Sequence, residues 1–372
     1  MSDTLRGVRV LDLTRMLAGP YATMLLADMG AEVIKVEEPS GDPIRRMGPP
    51  FEPDGSSAYF NAINRNKKSV VLDLRTPAGR DTFLRLVATA DAVVDNFRAG
   101  VMERLRLTHA ELAAVKPDIV TCSITAFGES GPYRDLPAFD LILQAMGGGM
   151  SITGEPGGRP TRAGIPIGDL GGGAFAALAV CAALVRRQRT GQGQHIDLSL
   201  LDVQVSLLTY VAQYFWTDGR VPQPIGSAHQ SVVPYQAFAT ADGHVVVAVF
   251  VENFWAPLCR VLGLEELIER YPSNADRVAA REVLVPLLEE RFRRRPTDDW
   301  VRELWAAGVP GGPVNTVDRV LSDPHVLHRG MVVSDGRRNL VGNPIKTGAP
   351  DAFSPAPALG QHNQEILGAL AG

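Results

Sequence analysis

Cysteine is scarce in this chain: three thiols, Cys122, Cys181 and Cys259, occur in 372 residues. They are odd in number, far apart and set among apolar neighbours, which argues against a disulfide framework or a cysteine metal site and for a reducing compartment. Long apolar runs are missing as well. No stretch of eighteen uncharged apolar residues occurs, and the start, MSDTLRGVRVLDLTRMLAG, has no apolar segment behind a basic end. A soluble cytoplasmic protein is expected, without a membrane partner. Charge of one sign is not in excess either: the net charge is −4 and the pI about 6.0, so nothing electrostatic calls for nucleic acid. The 27 prolines and 37 glycines are spread out, leaving turns but no low-complexity tract, and no internal repeat is visible.

What is present is alternation. Val8 to Leu13 reads as a strand, Ala18-Gly19-Pro20 as a turn, Tyr21 to Met29 as a helix and AEVIKVE as a second strand, a βαβ unit that requires a parallel sheet. SVVLDL (69–74), AVVDNF (92–97), IVTCSITAF (119–127) and QHIDLSL (194–200) continue the strands. Residues 1–224 are therefore expected to form a large Rossmann-like α/β domain. Its first turn, RMLAGP, lacks the spaced glycines of a dinucleotide fingerprint. A helix from Leu201 to about Trp216 leads to the loop TDGRVPQPIGSAHQS. Beyond it, YQAFATADGHVVVAVF reads as a hairpin turning on Asp242-Gly243, and charge-dense helices follow. Residues 225–330 are expected to form a small α+β domain, and 331–372 a segment returning to the large one.

One residue stands out. In GIPIGDLGGGAFAALAVCAAL an extended stretch ends at Gly168 and a helix of small residues is expected to begin after Asp169. Glycines 171–173 let another backbone come close. A carboxylate at a helix N-terminus should favour its ionised form, and an accessible ionised Asp can attack an acyl group. The same pattern suits an Asp that merely caps the helix, and both readings stand on local sequence alone.

The blocks VLDLTRMLAGPYATMLLADMGAEVIKVEEPSGDPIR, NRNKKSVVLDL, VVDNFRAGVMERL, FGESGPY, PIGD, TGQGQHIDLSLLD, VPYQAF and GVPGGPV, in order from about residue 5 to 365, resemble the family III CoA-transferases, the formyl-CoA and carnitine transferase group. GSAHQSVVPYQAF, VLHRGMVV and LGQH are most similar to the dicarboxylate branch, such as succinyl-CoA:glutarate CoA-transferases. The resemblance implies a large domain built from the N-terminal part and the C-terminal tail, a smaller domain between, and homodimers whose chains interlock, which suits the long connections around 200–230 and 330–360. It implies Asp169 as nucleophile, with mixed-anhydride and aspartyl-CoA thioester intermediates. It implies a CoA thioester as substrate, with no permanently bound cofactor and no metal. It assigns CoA contacts to Leu72, Arg75, Asn96, Phe97, Arg98 and Arg104, and places Gln144 near the nucleophile. CoA needs cations for its phosphates, and Lys67 and Lys68 are further candidates unless they face solvent. Gly168 and glycines 171–173 are candidate oxyanion donors, the alternative being helix packing alone. His229 is a candidate contact for an acceptor's distal carboxylate.

Departures from the family are visible too. Glu38 stands where some members carry an adenine-stacking Arg. The run of four glycines that covers some members' active sites is absent, VFVENFW lying in that neighbourhood, and Glu252 and Asn253 are candidates for a different lid. Two alternatives remain: an acyl-CoA racemase of the same fold, weakened because Phe139 stands where its His would be, and a catalytically silent CoA-binding protein, weakened by the presence of Asp169.

Overall fold

Apolar runs such as VRVLDL and EVIKVE become strands covered on both faces, as parallel sheets require. In the computed structural model, which describes residues 3–347 and 353–370, the chain runs β1 (Arg9–Asp12), α1 (Ala18–Asp28), β2 (Glu32–Glu37), α2 (Ala58–Ile63), β3 (Lys67–Val71), α3 (Pro77–Val87), β4 (Ala92–Asp95), α4 (Val101–Leu105), α5 (His109–Val115), β5 (Val120–Thr125), α6 (Asp140–Met146), α7 (Ile167–Thr190) and β6 (Gln194–Ser199). Residues 1–2, and residues 348–352 and 371–372 of the expected C-terminal segment, lie outside the described residues. The six strands are all parallel, in the order β3-β2-β1-β4-β5-β6. This is a doubly wound sheet whose strand order reverses between β1 and β4, the place where such folds leave a ligand crevice beyond the strands' carboxyl ends.

Alternation along β1 divides the core. Val10 joins Ala22, Leu26, Val94, Ala176 and Val180 beneath α1 and α7, whereas Leu11 joins Phe83, Leu86 and Leu112 beside α3 and α5. Each buried Val, Leu or Phe side chain among them contributes about 1.5–3 kcal/mol. Helix α7 is long and apolar enough to cross a membrane by length and composition, yet Ala176, Ala177, Val180, Ala183 and Leu184 are buried in the core against α1 and the sheet. Its glycines permit that approach. A Cβ on Gly173 would lie 2.6 Å from the Ala18 carbonyl oxygen, and one on Gly172 would lie 2.1 Å from Leu200 Cδ2.

After β6 the expected single helix is two, α8 (Leu200–Ser206) and α9 (Thr209–Asp218), broken where Thr209 takes a positive φ of 41°. The chain then forms β7 (Tyr235–Ala239), β8 (His244–Ala248), α10 (Trp255–Leu262), α11 (Glu266–Arg270), α12 (Asn274–Ala279), α13 (Arg281–Phe292), α14 (Thr297–Ala306) and β9 (Gly311–Pro313). An antiparallel β7-β8-β9 sheet packs Phe238 and Val247 on Trp255, Leu288, Phe292 and Trp300. The β7–β8 hairpin forms, but positive φ at Asp242-Gly243 is not what makes it; neither residue is among those with left-handed backbone. Instead Thr240 N donates to the Gly243 carbonyl at 2.9 Å, and the Asp242 carboxylate accepts from Thr297 N at 2.8 Å. Two compact units result, one of residues 1–149, 162–219 and 324–372 and another of 150–161 and 220–323.

Candidate active site

A cavity of about 190 Å³ opens at the β1/β4 switch point, lined by Met16, Leu17 and Ala18 after β1, Asn96, Phe97 and Arg98 after β4, Arg134, Phe139 and Asp169. The turn after β1 is held from beneath. Asp12, at the end of β1, is fully buried and accepts from Thr14 N (2.8 Å), Thr23 Oγ1 (2.7 Å) and Lys67 Nζ (2.9 Å). Lys67 Nζ also donates to the Pro20 carbonyl and to Asn64 Oδ1, both at 2.9 Å. Buried Lys35 donates to the Thr14 carbonyl at 2.7 Å and pairs with buried Asp42 at 3.0 Å. Above this network Met16 holds a φ of +66°, a conformation a side-chain-bearing residue keeps only when its surroundings impose it. Burial by itself would raise the Asp12 pKa, but Lys67, then Lys35 and the threonine hydroxyls, hold it below the ordinary carboxylate value. Lys67 is thus an internal counter-ion, neither a phosphate ligand nor a solvent-facing residue. Lys68 bridges Glu32 and Glu365.

Asp169 is not the cap of α7. The helix begins at Ile167 with Pro166 as its N-cap, so Asp169 lies inside the first turn. The cap-like role belongs to Asp140, the first residue of α6: its Oδ1 accepts from Gly168 N at 2.9 Å and Asp169 N at 3.1 Å. The N-terminal donors therefore serve Asp140, and the expectation that they would favour the ionised Asp169 is overturned. Burial, and after it the Asp140 charge, push Asp169 up to about 7. The oxyanion assignment to the glycines is also corrected, because Gly168 gives its N–H to Asp140 and glycines 171–173 lie within the helix, where N–H groups bond to the preceding turn.

Gln144 is buried, donates from Nε2 to Asp140 Oδ2 at 2.6 Å, and accepts from Ala163 N at 2.9 Å. Tyr59, on α2, is pushed up to about 12 by burial, then by the charges of Asp169, Asp140 and Asp42. Neither Asp140 nor Tyr59 was marked in the sequence. A signal existed for Asp140, an acid one helical turn before Gln144; none existed for Tyr59.

The other expected contacts separate. Asn96 brackets the Arg15 peptide, accepting from its N–H at 2.8 Å and donating to its carbonyl at 2.7 Å. Asp95, buried at the end of β4 and pushed up to about 6 by burial, accepts from Phe97 N and Ser123 Oγ, so the Asn96–Arg98 turn is fixed at both sides. Leu72 is buried in the core. Arg75 and Arg104 line a second cavity of about 610 Å³ together with Arg80 and Arg106, a cationic setting suited to phosphate. Arg75 is also paired with Asp73 at 2.8 Å. Glu38 pairs with Arg15 at 3.2 Å, and the Arg15 guanidinium lies 5.2 Å from the Phe97 ring centroid. His229, in the second unit, accepts from Ser231 N at 3.1 Å and packs on Tyr235. Glu252 accepts from Asn274 N at 2.6 Å and pairs with buried Arg277 at 2.7 Å, bonds that tie it to α12 rather than leave it as a free lid. Among the described residues no cluster of His, Cys, Asp and Glu could hold a metal ion, and the three cysteines are free thiols.

The Asp169 carboxylate thus lines the switch-point crevice, and a second cavity is lined by arginines. Comparison with known proteins identifies the family. The succinate–glutarate CoA-transferase of Agrobacterium fabrum is 39% identical over 98% of this chain and 95% of that protein. A succinyl-CoA:mesaconate CoA-transferase of Haloarcula hispanica is 40% identical over 97% of this chain and 94% of its own length. In structure, a CAIB/BAIF family protein from Brucella suis superposes with a TM-score of 0.90 at 40% identity, covering all of both chains. The sequence model of CoA-transferase family III matches residues 5–363, and the chain belongs to that family of enzymes.

Proposed function

We propose that this enzyme moves CoA from succinyl-CoA to a second dicarboxylate, such as glutarate, itaconate, mesaconate or malate, through covalent intermediates on Asp169. The observation that carries the reading is a single half-buried carboxylate of raised basicity in a crevice whose walls also present Arg98 and Arg134. Asp169 attacks the thioester carbon; the C–S bond breaks and CoA leaves as thiolate, giving a mixed anhydride. The thiolate then attacks the Asp169 carboxyl carbon, releasing succinate and leaving an aspartyl-CoA thioester. The acceptor carboxylate takes the place of CoA on Asp169, and CoA attacks the acceptor's acyl carbon, regenerating the free carboxylate. The buried charge on Asp169 disappears in every covalent state, so acylation relieves a desolvation cost. Intact-protein mass spectrometry after brief incubation with succinyl-CoA tests this: an adduct that hydroxylamine removes is expected, and unmodified protein would count against the reading.

Several features support the CoA side. CoA enters as a substrate, with its phosphates near Arg75, Arg98 and Arg104 and its thioester end near Asn96 and Phe97. Arg104→Ala should raise the KM for the CoA ester about tenfold or more, as loss of a charge-assisted hydrogen bond does, with kcat little changed. An unaltered KM in steady-state kinetics would remove Arg104 from the phosphate site. The racemase alternative lacks support: Phe139 is 68% exposed at the mouth, and no histidine lines the cavity among the described residues.

The reading includes a homodimer, interlocked as in the family, in a cytoplasmic setting that suits free thiols. Helix α9, TYVAQYFWTD, has no buried residue; its Trp216 is 72% exposed, and Leu178 on α7 is 64% exposed. Large apolar side chains left exposed in this way suit a surface awaiting a partner, and a second copy of the chain is the partner proposed. Sedimentation should give twice the 40.0 kDa chain mass and resist dilution to nanomolar protein; a 40 kDa species would refute it.

A further inference from the structure

From the hydrogen-bond geometry around α7 we infer that Asp140 is a positioning residue for the reaction, a fixed negative charge that sets the orientation of Asp169 and drives it toward its covalent, neutral states. This rests on the proposed role of Asp169 as nucleophile.

Three donors converge on the Asp140 carboxylate. Gly168 N and Asp169 N reach one oxygen at 2.9 and 3.1 Å, and Gln144 Nε2 reaches the other at 2.6 Å. The backbone of the nucleophile itself is thus hung from Asp140. Gln144 cannot turn its amide without losing Ala163 N, which Oε1 accepts at 2.9 Å, so its donor is held toward Asp140. Space permits nothing else: a Cβ on Gly168 would stand 2.8 Å from Asp140 Oδ1 and 2.5 Å from the buried Gln204 Nε2. The Gln204 donor makes no hydrogen bond.

A carboxylate beside a like charge is harder to ionise. Asp140 holds three donors. No hydrogen bond to the Asp169 carboxylate is formed among the described residues, and its titration moves up toward 7. The other titratable group beside the pair is Tyr59, which resists ionisation; Arg98 and Arg134 line the cavity that Asp169 also lines, Arg134 being paired with Glu103 at 3.0 Å. A neighbouring anion destabilises the free Asp169 carboxylate, but not a neutral anhydride or thioester at that place. Each acylation of Asp169 therefore discharges a repulsion.

The test compares pH profiles of kcat/KM for succinyl-CoA in wild type, Asp140→Asn and Asp140→Glu, with the steady-state adduct on Asp169 read by mass spectrometry. Asn keeps an acceptor for the two helix N–H groups and removes the charge. The expected result is a midpoint lowered by on the order of one pH unit and a smaller adduct fraction, while Glu keeps the wild-type midpoint at reduced kcat. A midpoint for Asn equal to wild type, or moved as far by Glu as by Asn, would overturn the inference. Should the Asn variant fail to fold, Gln144→Leu decides, since it loosens Asp140 without removing its charge: a retained midpoint with lower kcat supports the role, and a lowered midpoint sinks it. Failure of the parent reading looks different, namely absence of any adduct in wild type.

Discussion

Replacing Asp169 with alanine should abolish CoA exchange, lowering kcat by about four orders of magnitude or more, the scale on which loss of a covalent nucleophile is felt. No other carboxylate lines its cavity among the described residues, so no neighbour can substitute. The fold should survive, because the Asp169 carboxylate makes no capping hydrogen bond and the α7 start is held through Asp140. The Asn variant adds a thermodynamic check. The folded-state value of Asp169, about 7, lies above the roughly 3.9 of an unfolded chain, so the folded state loses stability as pH rises from about 4 to 7 and the loss is complete above that. Asp169→Asn does not titrate. Its stability advantage over wild type should therefore be smallest near pH 4 and grow to a plateau above pH 7. Urea unfolding curves that stay parallel across this range would show that burial and Asp140 do not perturb the group. Activity of wild type should move oppositely, rising through pH 7 as the carboxylate forms.

The α/β alternation, the hairpin and Asp169 itself were legible in the sequence because each is a local pattern: apolar runs with turns between them, two apolar runs either side of a Gly, an acid amid glycines. What was not legible was which partner each polar group would find. Lys67 stands at a strand entry like any surface lysine, and only the folded sheet brings it under Asp12, fifty-five residues earlier. Asp169 suggested a cap because helix starts are read from one residue; the actual acceptor, Asp140, comes from another helix twenty-nine residues away. Gln144 was placed by family likeness, and its burial could not be inferred from FDLILQAM, where apolar residues surround it on both sides. The site's chemistry thus depends on tertiary hydrogen bonds that pattern alone does not specify.

The largest effect on stability is expected from Lys67→Met. Its ammonium is wholly buried beside a wholly buried carboxylate, and removing one member of such a pair leaves the other charge uncompensated, at a cost of about 3–5 kcal/mol. Lys35 lies near but spends its ammonium on the Thr14 carbonyl and Asp42, so it cannot take over. The midpoint of urea unfolding should fall with little change in slope; a loss below about 1 kcal/mol would mean that Asp12 is not an anion in the fold. Apolar replacement of both partners, Asp12→Leu with Lys67→Met, should recover only part of the loss. Asp12 also accepts from Thr14 N and Thr14 Oγ1, and those donors would remain buried without an acceptor, each costing about 1–3 kcal/mol, whereas Thr23 Oγ1 keeps the Gly19 and Pro20 carbonyls. The same variants should depress kcat/KM even where the protein is folded, because Thr14 N and the Thr14 carbonyl, both tied to this network, set the course of the Met16–Ala18 wall that faces Asp169. A buried ion pair that looks like scaffolding thereby becomes measurable in the reaction: if folded Lys67→Met turned over substrate at the wild-type rate, the turn would owe its shape to α1 and not to the charges beneath it.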